Sequence, residues 1–120
     1  MLDNRYHYTA IIKSVYDGDT ATADIDLGFE VWIKNAKLRF HGIDTPELRG
    51  SSDEEKLRAI EAREWVREQI LDKEVVIKSF GKEKYGRWLV EIWKIEDGQV
   101  AEDTINNELI KLGMAEEYLV

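Results

Sequence analysis

The sequence predicts a small α+β domain: a closed antiparallel sheet with two to three helices packed on it. Three observations carry that expectation. Short segments through the first half alternate apolar with polar residues, as half-buried strands do. Two other stretches repeat their apolar residues at helical spacing. No Pro/Gly/Ser-rich linker divides the 120 residues, and the single proline, Pro46, lies inside a motif, so residues 1–120 are expected to form one domain.

Taken in order, Tyr6 to Val15 is rich in aromatic and β-branched residues and reads as a strand, and Asp17-Gly18 as the turn that ends it. In Thr20 to Leu27, Ala21, Ala23, Ile25 and Leu27 alternate with Thr22, Asp24 and Asp26, a half-buried strand that Gly28 turns back. Phe29 to Ile43 carries Val31, Ile33, Leu38 and Phe40, with a break or bulge at Asn35. Ser51 to Leu71 reads as a helix: Ser52 and Glu55 form a capping box, and Ala59, Ala62, Val66 and Ile70 share one face. The charges around that face are its solvated side. Glu74 to Phe80 is a strand, Gly81 to Gly86 a polar connection, and Arg87 to Ile95 a strand apolar on much of both faces. Asp97-Gly98 makes a further hairpin turn. Asp103 to Leu112 is helical, with Asp103 or Thr104 to cap it and Gly113 to end it. Strands, helix, two strands, helix is the order expected of a five-stranded OB-fold β-barrel.

Composition narrows the chemistry. There is no cysteine and there are two histidines, His7 and His41, which excludes disulfides, thiol catalysis and cysteine-ligated zinc and disfavours a multi-histidine metal site. No long uncharged apolar run calls for a membrane span. The first ten residues, MLDNRYHYTA, lack the apolar core of a signal peptide, so the chain reads as cytoplasmic, although a secreted form with its leader removed would look the same. The formal net charge of −8 opposes non-specific nucleic-acid binding, which depends on Lys and Arg neutralising phosphates, but an acidic average can surround a local basic cleft.

Two acidic motifs each follow a strand-like segment: Asp17-Gly18-Asp19-Thr20 and Gly42-Ile43-Asp44-Thr45-Pro46-Glu47. Each alone is a good turn or loop. Together they bring Asp19 and Asp44 to the ends of neighbouring strands, and an all-oxygen donor set with no Cys or His favours Ca²⁺ or Mg²⁺. Thr45 can add an oxygen, and Glu47 can hold a water. A metal, a carboxylate and a water are the parts needed to attack a phosphodiester. Arg39, in the otherwise apolar LRF, needs an anionic partner if buried. With Arg87, which follows Tyr85-Gly86, it is suited to hold the charge of a pentacoordinate phosphorus. Of the tryptophans, Trp88 and Trp93 read as core or barrel surface and Trp32 as an exposed contact; His41 reads as a structural histidine.

DGDT, LRFHGIDTPE and KYGR, in that order, resemble the staphylococcal nuclease (thermonuclease) family, and the C-terminal NNELIKLGMAEEY resembles its final helix. The resemblance implies an OB-fold barrel that hydrolyses DNA and RNA phosphodiesters with Ca²⁺, leaving 3′-phosphates. By position it implies Asp19 and Asp44 as metal aspartates, with the Thr45 carbonyl beside them. It implies Glu47 as general base, Arg39 and Arg87 as the phosphate arginines, and Lys84 and Tyr85 as contacts to terminal phosphate and nucleotide. Asp17 falls at the motif's other aspartate, which shapes the site. The chain departs from the family's basic, secreted prototype in its acidity. It also carries a longer 20–39 segment, expected as an extended hairpin around EVWIKNA that could lengthen a barrel strand, add a binding lip or support self-association, and Tyr118 alone where the prototype has a stacking tyrosine pair. The expected partner is a DNA or RNA substrate. The alternative on the same fold is an inactive OB-fold module that binds nucleic acid or protein, and a third reading is an acidic interaction domain.

Overall fold

In the computed structural model, which describes residues 6–49 and 52–118, strand β1 (His7–Asp17) turns through Gly18 and Asp19 into β2 (Thr20–Asp26), and β2 turns back into β3 (Trp32–Phe40). The two-residue β4 (Ile43–Asp44) precedes helix α1 (Asp53–Ile70). Then come β5 (Glu74–Lys82), β6 (Trp88–Glu96), the short β7 (Gln99–Val100), helix α2 (Ile105–Lys111) and β8 (Glu116–Glu117).

The strands lie in the order β3-β2-β1-β5-β6, and β3 also pairs with β6, which closes a five-stranded barrel. The closing seam is parallel, from Leu38 beside Trp88 to Phe40 beside Val90. This corrects the expectation of a wholly antiparallel sheet. Five strands in a ring cannot all alternate in direction, so one seam must be parallel. Inward side chains fill the barrel: Ile12, Leu38, Phe40, Ile77, Val90 and Ile92 are fully buried. Each contributes about 1.5–3 kcal/mol through loss of apolar surface to water.

Both helices form for the local reasons expected. Ser52 accepts a bond from the Glu55 amide at 3.3 Å, and Ala59, Ala62, Val66 and Ile70 are the buried face of α1. Thr104 caps α2 through the Asn107 amide at 3.0 Å, and Gly113, at φ +75°, ends it. Asn35 is the bulge: it has φ +55°, and the β2–β3 register skips between Ala23–Ala36 and Ile25–Ile33. Asp24 accepts the Asn35 amide at 3.0 Å and pairs with Lys34 at 3.5 Å. The amide bond is the main reason its carboxyl is held below the usual range.

Two details differ from expectation. The first turn falls on Gly18-Asp19, one residue later, because Asp17 still pairs with Thr20. Leu27 is exposed, since β2 ends at Asp26. His41, exposed at the end of β3, has its ring stacked on Phe80 at 4.3 Å. Trp88 packs half-buried at the core's edge, Trp93 lies against His7, and Trp32 is exposed. No helix among the described residues is long and apolar enough to cross a membrane.

Candidate active site

The DGDT turn is pressed against the rest of the molecule. A Cβ on Gly18 would come within 2.9 Å of the Ala62 Cβ and 3.0 Å of the Thr45 Cγ2, so only glycine allows the turn this close to α1 and to the second motif. Arg67 of α1 reinforces the approach by donating to the Val15 carbonyl through Nη2 at 3.0 Å and Nε at 3.3 Å.

This closeness brings the motifs into contact. Asp19 is buried, at 8% exposure. Its Oδ2 accepts the Thr45 amide at 3.1 Å, its Oδ1 accepts the Thr20 hydroxyl at 3.0 Å, and its carbonyl accepts the Phe40 amide at 2.9 Å. Arg39 bridges both acids: Nη1 lies 3.5 Å from Asp19 Oδ2 and Nη2 lies 3.6 Å from Asp44 Oδ1. Nη1 also donates to the Phe40 carbonyl at 2.8 Å, which fixes the fork. The partner that a guanidinium in LRF demanded is therefore the pair of aspartates.

One arginine does not neutralise this cluster. Burial, then repulsion from Asp19, pushes the Asp44 carboxyl above its ordinary value, with Glu47 and Glu116 adding to the rise and Arg39 opposing it. Asp17 is raised likewise, first by burial, then by Asp19 and Glu47, against Arg63 and Arg39. Glu47, exposed on the loop after Pro46, thus acts electrostatically on both acids. Buried Thr45 Oγ1 and Asp17 Oδ1 have no hydrogen-bond partner among the described residues.

A second cluster forms around residues 83–87. Glu83 Oε1 accepts the amides of Tyr85 and Arg87, each at 2.9 Å, and its Oε2 holds Arg87 Nη2 at 3.1 Å. These bonds hold the Glu83 carboxyl below its usual range, the Arg87 side chain contributing most. The Nε of Arg87 is buried with no partner among the described residues. Tyr85 is 70% exposed, with Lys84 Nζ at 5.2 Å and the Arg87 guanidinium at 5.7 Å from its ring centre. Arg39 is in register with Leu89, so Arg87, two residues earlier, belongs to the same outer face of the barrel. Tyr118 follows β8, which pairs with β4; its amide donates to the Gly42 carbonyl at 2.9 Å, and its ring is exposed beside the site.

Asp19, Arg39, Asp44 and Thr45 are therefore in direct contact, with Glu47 within electrostatic reach. Arg87, Lys84 and Tyr85 form a separate group on the same face. Three further participants were not singled out from the sequence. Glu83 lies inside KEKYGR, a single acid among basic neighbours. Glu116 meets Asp44 through a strand pairing that has no local signal. Asn106 resembles a helix surface residue, yet is buried: its side chain donates to the His41 and Val90 carbonyls at 2.9 and 3.0 Å and accepts the Ile92 amide at 3.0 Å. It pins the exit of β3 to β6 just before Asp44.

Among the described residues, no group of three or more His, Cys, Asp or Glu is placed to hold a metal ion. The donors on offer are two carboxylates and the oxygens of Thr45, one of them unpartnered. That set fits a hard divalent cation that keeps several waters.

Fold and site together define a small OB-fold barrel with an acid–arginine centre on its outer face. The staphylococcal nuclease homologue family matches residues 37–120, and the chain belongs to that family. Asp19 precedes the matched segment; its place beside Asp44 comes from the packing of the β1–β2 turn. The chain is also similar to a Yarrowia lipolytica (strain CLIB 122 / E 150) protein named "Probable endonuclease LCL3". It is 29% identical to it over 83 residues, which cover 68% of this chain and 35% of that protein's length.

Proposed function

We propose that this chain is a Ca²⁺-dependent nuclease that hydrolyses phosphodiester bonds of DNA or RNA and leaves 3′-phosphates. The observation that carries the reading is Arg39 bridging Asp19 and Asp44 while Arg87 occupies the same barrel face. Asp19, Asp44 and the Thr45 carbonyl are the residues that would hold the ion. Bound there, it would supply positive charge beside the phosphate and offset the repulsion among the clustered carboxylates. Arg39 and Arg87 hold the non-bridging oxygens and favour the extra negative charge of the pentacoordinate state. Glu47 orients a water and takes its proton as the water oxygen bonds to phosphorus. The bond from phosphorus to the 5′-oxygen breaks, that oxygen gains a proton, and the phosphate stays on the 3′-side. Lys84, Tyr85 and Tyr118 contact the terminal phosphate and the nucleotide.

Cleavage of plasmid and labelled oligonucleotides with and without Ca²⁺ tests this. Activity should require the ion, products should carry 3′-phosphate ends, and Glu47→Gln should lower kcat by about 10²–10⁴-fold, as expected for a lost general base. Tight binding with no cutting by the wild type would instead make the chain a binding module.

A further inference from the structure

Away from the acids, between the β2–β3 hairpin and the β5–β6 hairpin, the barrel opens into a cleft of about 770 Å³. Its walls are apolar, with Tyr8, Ile33, Ile77, Phe80 and Trp88 among them. Aromatic rings at this opening carry amines. Lys78 Nζ lies 5.3 Å from the Phe80 ring centre and Lys82 Nζ lies 5.2 Å from that of Trp88, both rings of the cleft wall; outside the wall, next to Ile33 in sequence, Lys34 Nζ lies 5.1 Å from the Trp32 ring centre. Lys84 and Arg87, over Tyr85, sit in the loop that joins Lys82 to its strand partner Trp88, and Arg87 shares the outer face with Arg39. The stack of His41 on Phe80 is a second link, since His41 is three residues before Asp44.

Charge selects the occupant. The chain carries −8 overall, yet Lys78 to Trp88 contains Lys78, Lys82, Lys84 and Arg87 against Glu83 alone. An apolar protein partner would cover these amines without an anion for them, at a desolvation cost. A second copy seated symmetrically would oppose one cationic rim with another. A polyanion with flat, apolar bases meets both features: phosphates draw the lysines off the rings, and the rings stack bases. The bases must be unpaired to enter a concave opening. Lys34 is shared with Asp24 at 3.5 Å, so the attraction is weakest at the β2–β3 hairpin.

We propose that this lysine–aromatic row is a second nucleic-acid site, a track along which a single-stranded polynucleotide runs from Tyr85 and Arg87 across Trp88 and Phe80 into the barrel mouth. The track rests on the nuclease reading, because it extends the strand held at that centre. It gives the acidic protein its grip on long substrates.

Equilibrium anisotropy with labelled oligo(dT) strands of about 4 and about 16 nucleotides, the range OB-folds cover, tests the track in EDTA, where cutting is suppressed. Phe80→Ala should weaken binding of the longer strand about 5- to 150-fold, the loss of one stacked base. The double change Lys78→Gln with Lys82→Gln, on the surface and away from the core, should lower the salt slope of that binding by about 1.4. Short-strand binding, and short-strand cleavage with Ca²⁺ restored, should stay at wild-type values in both variants. If the wild type cuts but long-strand affinity is the same in both variants, the track is refuted and the nuclease reading stands. A wild type that neither binds nor cuts removes both. Variants that convert a dimer to a monomer in sedimentation without changing affinity would assign the mouth to a second copy and overturn the track.

Discussion

The acidic and basic halves of the site are built in opposite ways. Asp19, Asp44, Thr45 and Arg39 sit on two strand ends and a tight turn, and their bonds run between elements distant in sequence. Lys84, Tyr85 and Arg87 sit in one loop, the first two exposed and Arg87 half-buried, whose bonds run to its own Glu83. The first half is preorganised by the whole barrel, and the second by five consecutive residues. A residue in the first half should therefore serve stability and chemistry together, and one in the second should serve chemistry alone.

Arginine substitutions separate these roles most strongly. Arg39→Ala and Arg87→Ala should each lower kcat/KM by about 10²–10³-fold, the cost of losing one donor to a charged transition state. Their thermal unfolding should differ. Arg39→Ala leaves buried Asp19 without its cation and should lose about 1–3 kcal/mol, whereas Arg87→Ala should melt close to wild type. Equal melting temperatures would erase the distinction between the halves.

A smaller effect comes from the charge stored in the acidic half. The folded pKa values of Asp17 and Asp44 lie above the ordinary 3.8, so their contribution to stability is complete below that value and is lost as pH rises through the folded pKa. Asp17→Asn removes an ionised group that the fold disfavours. It should raise the melting temperature at neutral pH, with the gain shrinking as pH falls to 3.8 and below. Asp24, Glu83, Glu96 and Asp103 have lowered values and act in the opposite sense, but they are common to both proteins and cancel in the difference. Melting curves across pH 3 to 8 measure it, and a gain that grows toward acid would contradict the repulsion.

Glu83→Gln should have the least effect. The amide oxygen can still accept the Tyr85 and Arg87 amides, so the loop keeps its shape while the guanidinium loses its ionic partner. KM for a short substrate should fall a few-fold with kcat and melting temperature little changed. A higher KM would mean that Glu83 positions Arg87 for substrate rather than competing with it.

What the sequence revealed follows the reach of each signal. Helix α1 was legible to its buried face, because its cap and its apolar stripe are local patterns. Asp19 and Asp44 were legible as strand-end acids, and Arg39 as a cation needing a partner within an apolar strand. The parallel seam was not legible, since it follows from counting strands around a closed ring. Asn106 and Glu116 were missed because their burial and pairing depend on contacts far away in sequence. Glu83 was hidden by composition, one acid within a basic motif.

The seam between β3 and β6 joins residues fifty positions apart through three pairs, and Asn106 fastens it from α2. Such closure is entropically demanding and forms late relative to hairpins and helices. Arg39 and Arg87 acquire their common face only when it closes. A refolding chain, or one leaving the ribosome, can carry its first hairpins and α1 while Arg39 and Arg87 are still apart. Recovery of cutting should therefore lag the recovery of secondary structure, and its rate would time the closing of the barrel.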